Sequence, residues 1–269
     1  MKIVFSYSPK YSFASRAKNI DILYFYFLSN LFAREYGYKT VMFCAKEYSD
    51  LLLNIKYDEM IYLPDEESYD YPDWTENSLH KLQAISKMAE PFVYLNPTCL
   101  LFKRDILQRI SNTENDTIYY SNQEIANDYL VDKSHKILKK WPDYNGFIFK
   151  NRYYNTSIFG GTDVKTMSAA ANLILDFLKE NAEYLDFICG DNFINLENRH
   201  TKYFANMSRM IDSVWMPQLC EQISGRKIES LITNNEIERI QRKQFDKQNE
   251  EGVYEMESPG TALSQIASR

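Results

Sequence analysis

The chain is poor in the residues that punctuate or cross-link a fold. Glycine and proline number 8 each in 269 residues, cysteine 4 and histidine 3. Scarce glycine and proline exclude collagen-like and low-complexity disordered classes. Cys44, Cys99, Cys189 and Cys220 lie far apart and form no C-x-x-C pair. They read as buried free thiols of a reducing compartment, not as a disulfide framework. The histidines offer no metal-spaced pair. Neither glycine-rich phosphate loop occurs, and no G-x-S-x-G elbow supports a serine nucleophile. The N-terminus lacks the charged and apolar regions of a secretion signal. No apolar run reaches membrane-spanning length, since residues 20–32 are broken by Asp21, Ser29 and Asn30. A soluble, cytoplasmic protein is expected. The net charge of -6 argues against a nucleic-acid partner held by phosphate contacts.

What is present is aromatic and apolar. With 21 tyrosines and 16 phenylalanines the chain can bury a substantial core. Its length suits one large domain, or one domain with an appendage. Apolar runs at 2–7, 40–45 and 60–63 read as strands. Helical periodicity at 19–36, closed by Gly37, and at 47–55 reads as the connections between them. Strand and helix in alternation over about 60 residues predict a parallel, doubly wound α/β sheet. A helix at 76–90 and a strand at 92–95 continue the pattern. Further helices are expected at 104–111, 127–141, from a Thr162-Asp163 cap to 181, within 186–198 and at 216–223. Strands are expected at 117–120 and 147–149. Residues 1–225 form the main domain in this reading. Residues 226–269 form a charged helical extension followed by a tail.

The run 91–103, PFVYLNPTCLLFK, organises the rest. A buried strand stops at Asn96-Pro97-Thr98, and a strand that ends on short polar residues is how an open α/β sheet presents a ligand. Asn96 and Thr98 point to one side of the chain. As neutral groups they are poor ligands for a hard cation, and the alternative is a polar strand end that merely turns. Lys81, in WTENSLHKL after Trp74, either sits solvated on its helix or brings an ammonium to a phosphate. Ser121 to Glu124, SNQE, either turns the chain or offers amides to sugar hydroxyls. In YYNTSIFGG, Asn155 sits among aromatics, and Gly160-Gly161 permits close backbone approach. Asp163 follows as a cap or a reactive carboxylate. Asp191, in CGDN, carries the same two readings.

Taken together these segments resemble the GT-A fold glycosyltransferases, especially the bacterial nucleotide-sugar transferases of capsule and lipopolysaccharide. The resemblance rests on KIVFSYS, on W-x-x-x-x-x-x-K-L, on PFVYL with its polar pair, on SNQE and on YNTSIFGG followed by Asp. It covers roughly 1–225. It implies a GT-A (Rossmann-like) mostly parallel sheet and transfer of a sugar from a nucleotide-sugar to a hydroxyl of a glycan or small molecule. Ser6, Tyr7, Trp74, Lys81, Asn96, Thr98, Gln123, Asn155, Gly160 and Gly161 would contact donor or substrate. If the reaction inverts the anomeric centre, Asp163, Asp191 or Glu124 would take the acceptor proton. The family's Asp-X-Asp pair is Asn96 and Thr98 here, so the resemblance implies manganese or magnesium held weakly or not at all. A catalytically silent binding protein of the same fold is the rival expectation. The C-terminal helix would serve a homo-oligomer or a protein partner.

Overall fold

The computed structural model describes residues 1–7, 19–63, 76–96, 104–113, 116–124, 147, 152–183 and 210–231. The chain begins with β1 (Lys2–Tyr7), α1 (Asn19–Glu35) and β2 (Lys39–Ala45). Short helical turns over 46–55 lead to β3 (Glu59–Leu63). Then come α2 (Glu76–Ser86), β4 (Phe92–Leu95), α3 (Arg104–Ser111) and β5 (Ile118–Glu124). The remaining elements are β6 (Tyr153–Gly161), α4 (Val164–Glu180), a π-turn (Ile211–Trp215), α5 (Met216–Ser224) and β7 (Glu229–Ser230).

The strands form one sheet in the order β3-β2-β1-β4-β6-β5-β7. β3, β2, β1 and β4 run parallel. β6 is antiparallel to both β4 and β5, and β7 lies parallel to β5. The architecture is therefore α/β with a mostly parallel mixed sheet flanked by helices. β1, β2 and β4 are near-continuous apolar runs because both their faces are covered. Val4, Val41, Phe43, Phe92, Tyr94 and Phe159 face α2, α4 and α5. Ile3, Phe5, Met42, Val93, Leu95 and Ile158 face the other way, toward α1 and α3. The period of two along each strand divides the core into these two layers.

Three elements depart from the expectations above. α2 ends at Ser86 rather than 90, with Ser86 Oγ donating to the Gln83 carbonyl and Ser168 Oγ to the Ser86 carbonyl. SNQE does not follow its strand but completes it, since β5 runs on to Glu124 after an irregularity between Tyr120 and Asn122. Residues 226–231, expected to start a helix, instead leave α5 through Gly225 at φ +66 and add β7 to the sheet edge. The Leu231 N–H donates to the Tyr120 carbonyl at 2.9 Å and buries Leu231 against the second core layer. The expected helices at 127–141 and 186–198 and the tail lie outside the described residues.

Candidate functional site

The parallel half of the sheet sets the place. Strand order turns back at β1, so β2 and β4 flank it and the chain leaves β1 and β4 at the same edge. α1, which follows β1, covers one face, and α2, which precedes β4, covers the other. Such a reversal opens a crevice beyond the carboxyl ends of the strands, where open α/β sheets bind ligands. Ser6 and Tyr7 end β1, and Asn96 follows β4.

β6 extends past that edge. Its Ile158 pairs with Leu95, so Ser157, Thr156 and Asn155 lie beyond the end of β4. Here the register of β5 and β6 breaks. Bulges expose backbone groups that the ladder no longer pairs, and side chains take them up. The Ser157 N–H donates to Asn155 Oδ1 at 3.0 Å, and the Ile158 N–H donates to Ser121 Oγ at 2.8 Å. Lys81 Nζ donates to the Thr156 carbonyl at 3.2 Å and to Thr156 Oγ1 at 2.8 Å. The Asn96 N–H donates to the Ser157 carbonyl at 2.8 Å, which ties the residue after β4 to the same bulge.

Lys81 is buried, which is costly for an ammonium unless it is paired. It lies 5.2 Å from the centroid of the Tyr94 ring and 6.0 Å from that of Phe159. Its counter-charge is Asp212, whose Oδ2 is 3.9 Å from Nζ. Burial lowers the pKa of Lys81, and the Asp212 charge opposes that shift. Burial raises the pKa of Asp212, against the opposing effects of the Lys81 charge and a hydrogen bond with Ser78. Next to this pair, Tyr94 Oη and Ser6 Oγ hydrogen-bond at 2.8 Å, and the Tyr26 hydroxyl donates to the Ser6 carbonyl. Burial pushes the Tyr94 phenol up, the Ser6 hydrogen bond opposes it, and Asp212 adds to the rise. Ser6, Tyr94, Lys81, Asp212 and Thr156 thus form one polar cluster under the strand ends.

The sequence-derived candidates divide between the two edges of the sheet. Ser6, Tyr7, Asn96 and Asn155 come together at the carboxyl edge of β1 and β4, and Lys81 reaches it. Gln123 and Glu124 pair with Tyr154 and Tyr153, which places their backbone toward this edge too. Gly160 and Gly161 pair with Val93 and Phe92, toward the opposite end of β4. A Cβ on Gly160 would sit 2.2 Å from the Phe92 carbonyl oxygen, and one on Gly161 2.0 Å from that of Thr117. What approaches these glycines is strand backbone. Asp163 stands at that far edge and caps α4, its Oδ1 accepting from the Thr166 N–H at 3.1 Å. Trp74, Thr98 and Asp191 lie outside the described residues.

Asp212, Tyr94 and Ser78 were not anticipated. Asp212 did leave a signal, because it is the only charged residue from 210 to 220 in an otherwise apolar and neutral run. A lone carboxylate in such a run needs a buried partner. The donor set suits a divalent cation poorly. Asn96 is neutral, Asp212 already faces Lys81, and no group of three or more His, Cys, Asp or Glu gathers among the described residues. Comparison with protein-family models gives no match, and comparison with curated proteins gives none.

Proposed function

We propose that this chain is a glycosyltransferase-like protein of GT-A type that takes a nucleotide-linked sugar at the carboxyl edge of β1 and β4. The observation that carries the reading is the meeting of Ser6, Tyr7 and Asn96 at the point where strand order reverses, with a buried cation behind them. The donor lies against Asn96 and the end of β1 at Ser6 and Tyr7, whose side chains are buried beneath it. A hydroxyl of the acceptor attacks the anomeric carbon, the bond from that carbon to the diphosphate breaks, and the acceptor proton passes to a carboxylate. Asp163 is engaged in a cap at the far edge, whereas the backbone of Glu124 ends β5 toward the carboxyl edge of β4. The departing diphosphate gains negative charge. Lys81 stabilises that charge through the field of its buried ammonium and not by contact, because its protons face Thr156 and Asp212.

One observation favours a second reading, a binding protein of the same fold without turnover. Asn96 brings no charge to the position from which the leaving group would be held. Incubation with a panel of nucleotide-sugars, with and without manganese, separates the two. Hydrolysis or transfer of one donor supports the enzyme, whereas calorimetric binding without any turnover supports the second reading.

A further inference from the structure

Among the described residues, one acceptor of the polar cluster has no donor. Asp212 Oδ1 is buried without a hydrogen-bond partner. The other oxygen faces Lys81 across 3.9 Å, longer than a direct hydrogen bond. Native proteins rarely bury a carboxylate oxygen without a donor, and exceptions concentrate where a ligand, ion or water supplies one. The Asp212 side chain keeps 24 % of its surface, so the residue reaches the surface although Oδ1 itself is covered. It stands in a π-turn, a local distortion frequent at functional sites, directly ahead of α5. Lys81 supplies the counter-charge, and Lys81 is itself pinned to the β6 bulge that holds Asn96.

We propose that Asp212 is a ligand-binding residue of this site, its carboxylate accepting hydrogen bonds from hydroxyl groups of the sugar. This rests on the reading that the edge takes a nucleotide-linked sugar. A carboxylate suits polyhydroxylated ligands because each oxygen accepts more than one hydroxyl donor. Lys81 is a positioning residue in this arrangement, since it holds the carboxylate and the bulge in one geometry without touching the sugar.

The test compares uridine and guanosine diphosphates with their hexose conjugates by titration calorimetry, on the wild type and on Asp212→Asn. The expected result is a wild type that binds one conjugate more tightly than its bare diphosphate. Asp212→Asn should then lose about tenfold or more for the conjugate while keeping its affinity for the diphosphate. A variant that keeps the full advantage of the conjugate overturns the assignment and leaves the functional reading standing. So does a wild type for which conjugate and diphosphate bind alike. A wild type that binds none of these ligands overturns both. If Asp212→Asn does not fold, the wild type is titrated with conjugates lacking one sugar hydroxyl at a time. Loss of about tenfold at one hydroxyl supports the assignment, and a flat series overturns it.

Discussion

Lys81 and Thr156, 75 residues apart, meet where β6 bulges past the end of β4, with Nζ donating to both oxygens of the threonine. This contact joins the helix before β4 to β6, the strand that pairs with β4 in the sheet. It also brings a buried cation to the edge where β1 and β4 end.

Removing the cation alone should be worse than removing the charge pair. Lys81→Met leaves the Thr156 carbonyl unpaired and Asp212 without its counter-charge, and should cost about 3–5 kcal/mol. Lys81→Met with Asp212→Leu removes both charges and should cost distinctly less. Urea unfolding followed by circular dichroism measures both, and equal losses would show that the two charges are not coupled.

Much of the parallel half was legible from residue pattern, because β1, β2 and β4 are short buried runs, each followed by helical residues. The order of β6 and β5 was not, since it depends on pairing across more than 30 residues, as between Tyr120 and Phe159. SNQE looked like a turn because it is polar, yet its backbone pairs with β6 through Glu124. Asn155 stood out among aromatics, and it does hold the Ser157 N–H. Asp212 carries a local signal as the lone charge of its run, but which residues it meets, Lys81 and Ser78, is set far away in the chain, where no local rule reaches.

The glycine pair should tolerate no side chain, for reasons of contact. Gly160→Ala drives a Cβ into the backbone of β4 at 2.2 Å from the Phe92 oxygen. It should destabilise the protein by about 3 kcal/mol or more, at the severe end of overpacking. Gly37→Ala is the control. Nothing lies within 4 Å of its Cβ, and its φ of +84 leaves only backbone strain of about 1 kcal/mol. Thermal unfolding of the two variants should separate clearly, and similar shifts would contradict the packing described.

Stability should carry a pH signature from Asp212. Its carboxyl titrates higher in the folded chain than its ordinary value of 3.8. Folding therefore favours the protonated form. That contribution is fully present below 3.8 and is lost as pH rises through the folded value. Asp212→Asn should flatten the decline on that rise, which unfolding titrations at successive pH values measure. An unchanged slope would remove Asp212 as its source. Glu90 acts in the opposite sense. Its hydrogen bond to Lys2 lowers its pKa below 4.5, so its contribution is present above 4.5 and lost as pH falls.

Two thiols should be inert in the folded protein. Cys44 and Cys220 are free and buried. Burial pushes the Cys44 thiol up to about 11 and raises Cys220 as well. The reactive thiolate is therefore nearly absent at about pH 8. Peptide mass spectrometry after iodoacetamide should find both unmodified until denaturant is added, and fast labelling of either in the native state would contradict its burial.

The most direct test of the donor site is to restore charge at the exit of β4. Asn96→Asp with Thr98→Asp supplies the paired carboxylates that a divalent cation requires. If this edge receives the diphosphate of a nucleotide-sugar, the double variant should gain manganese-dependent binding of uridine or guanosine diphosphate, about tenfold or more tighter than the wild type by titration calorimetry. A folded double variant that binds manganese and nucleotide no better than the wild type would contradict the placement of the donor at β1 and β4.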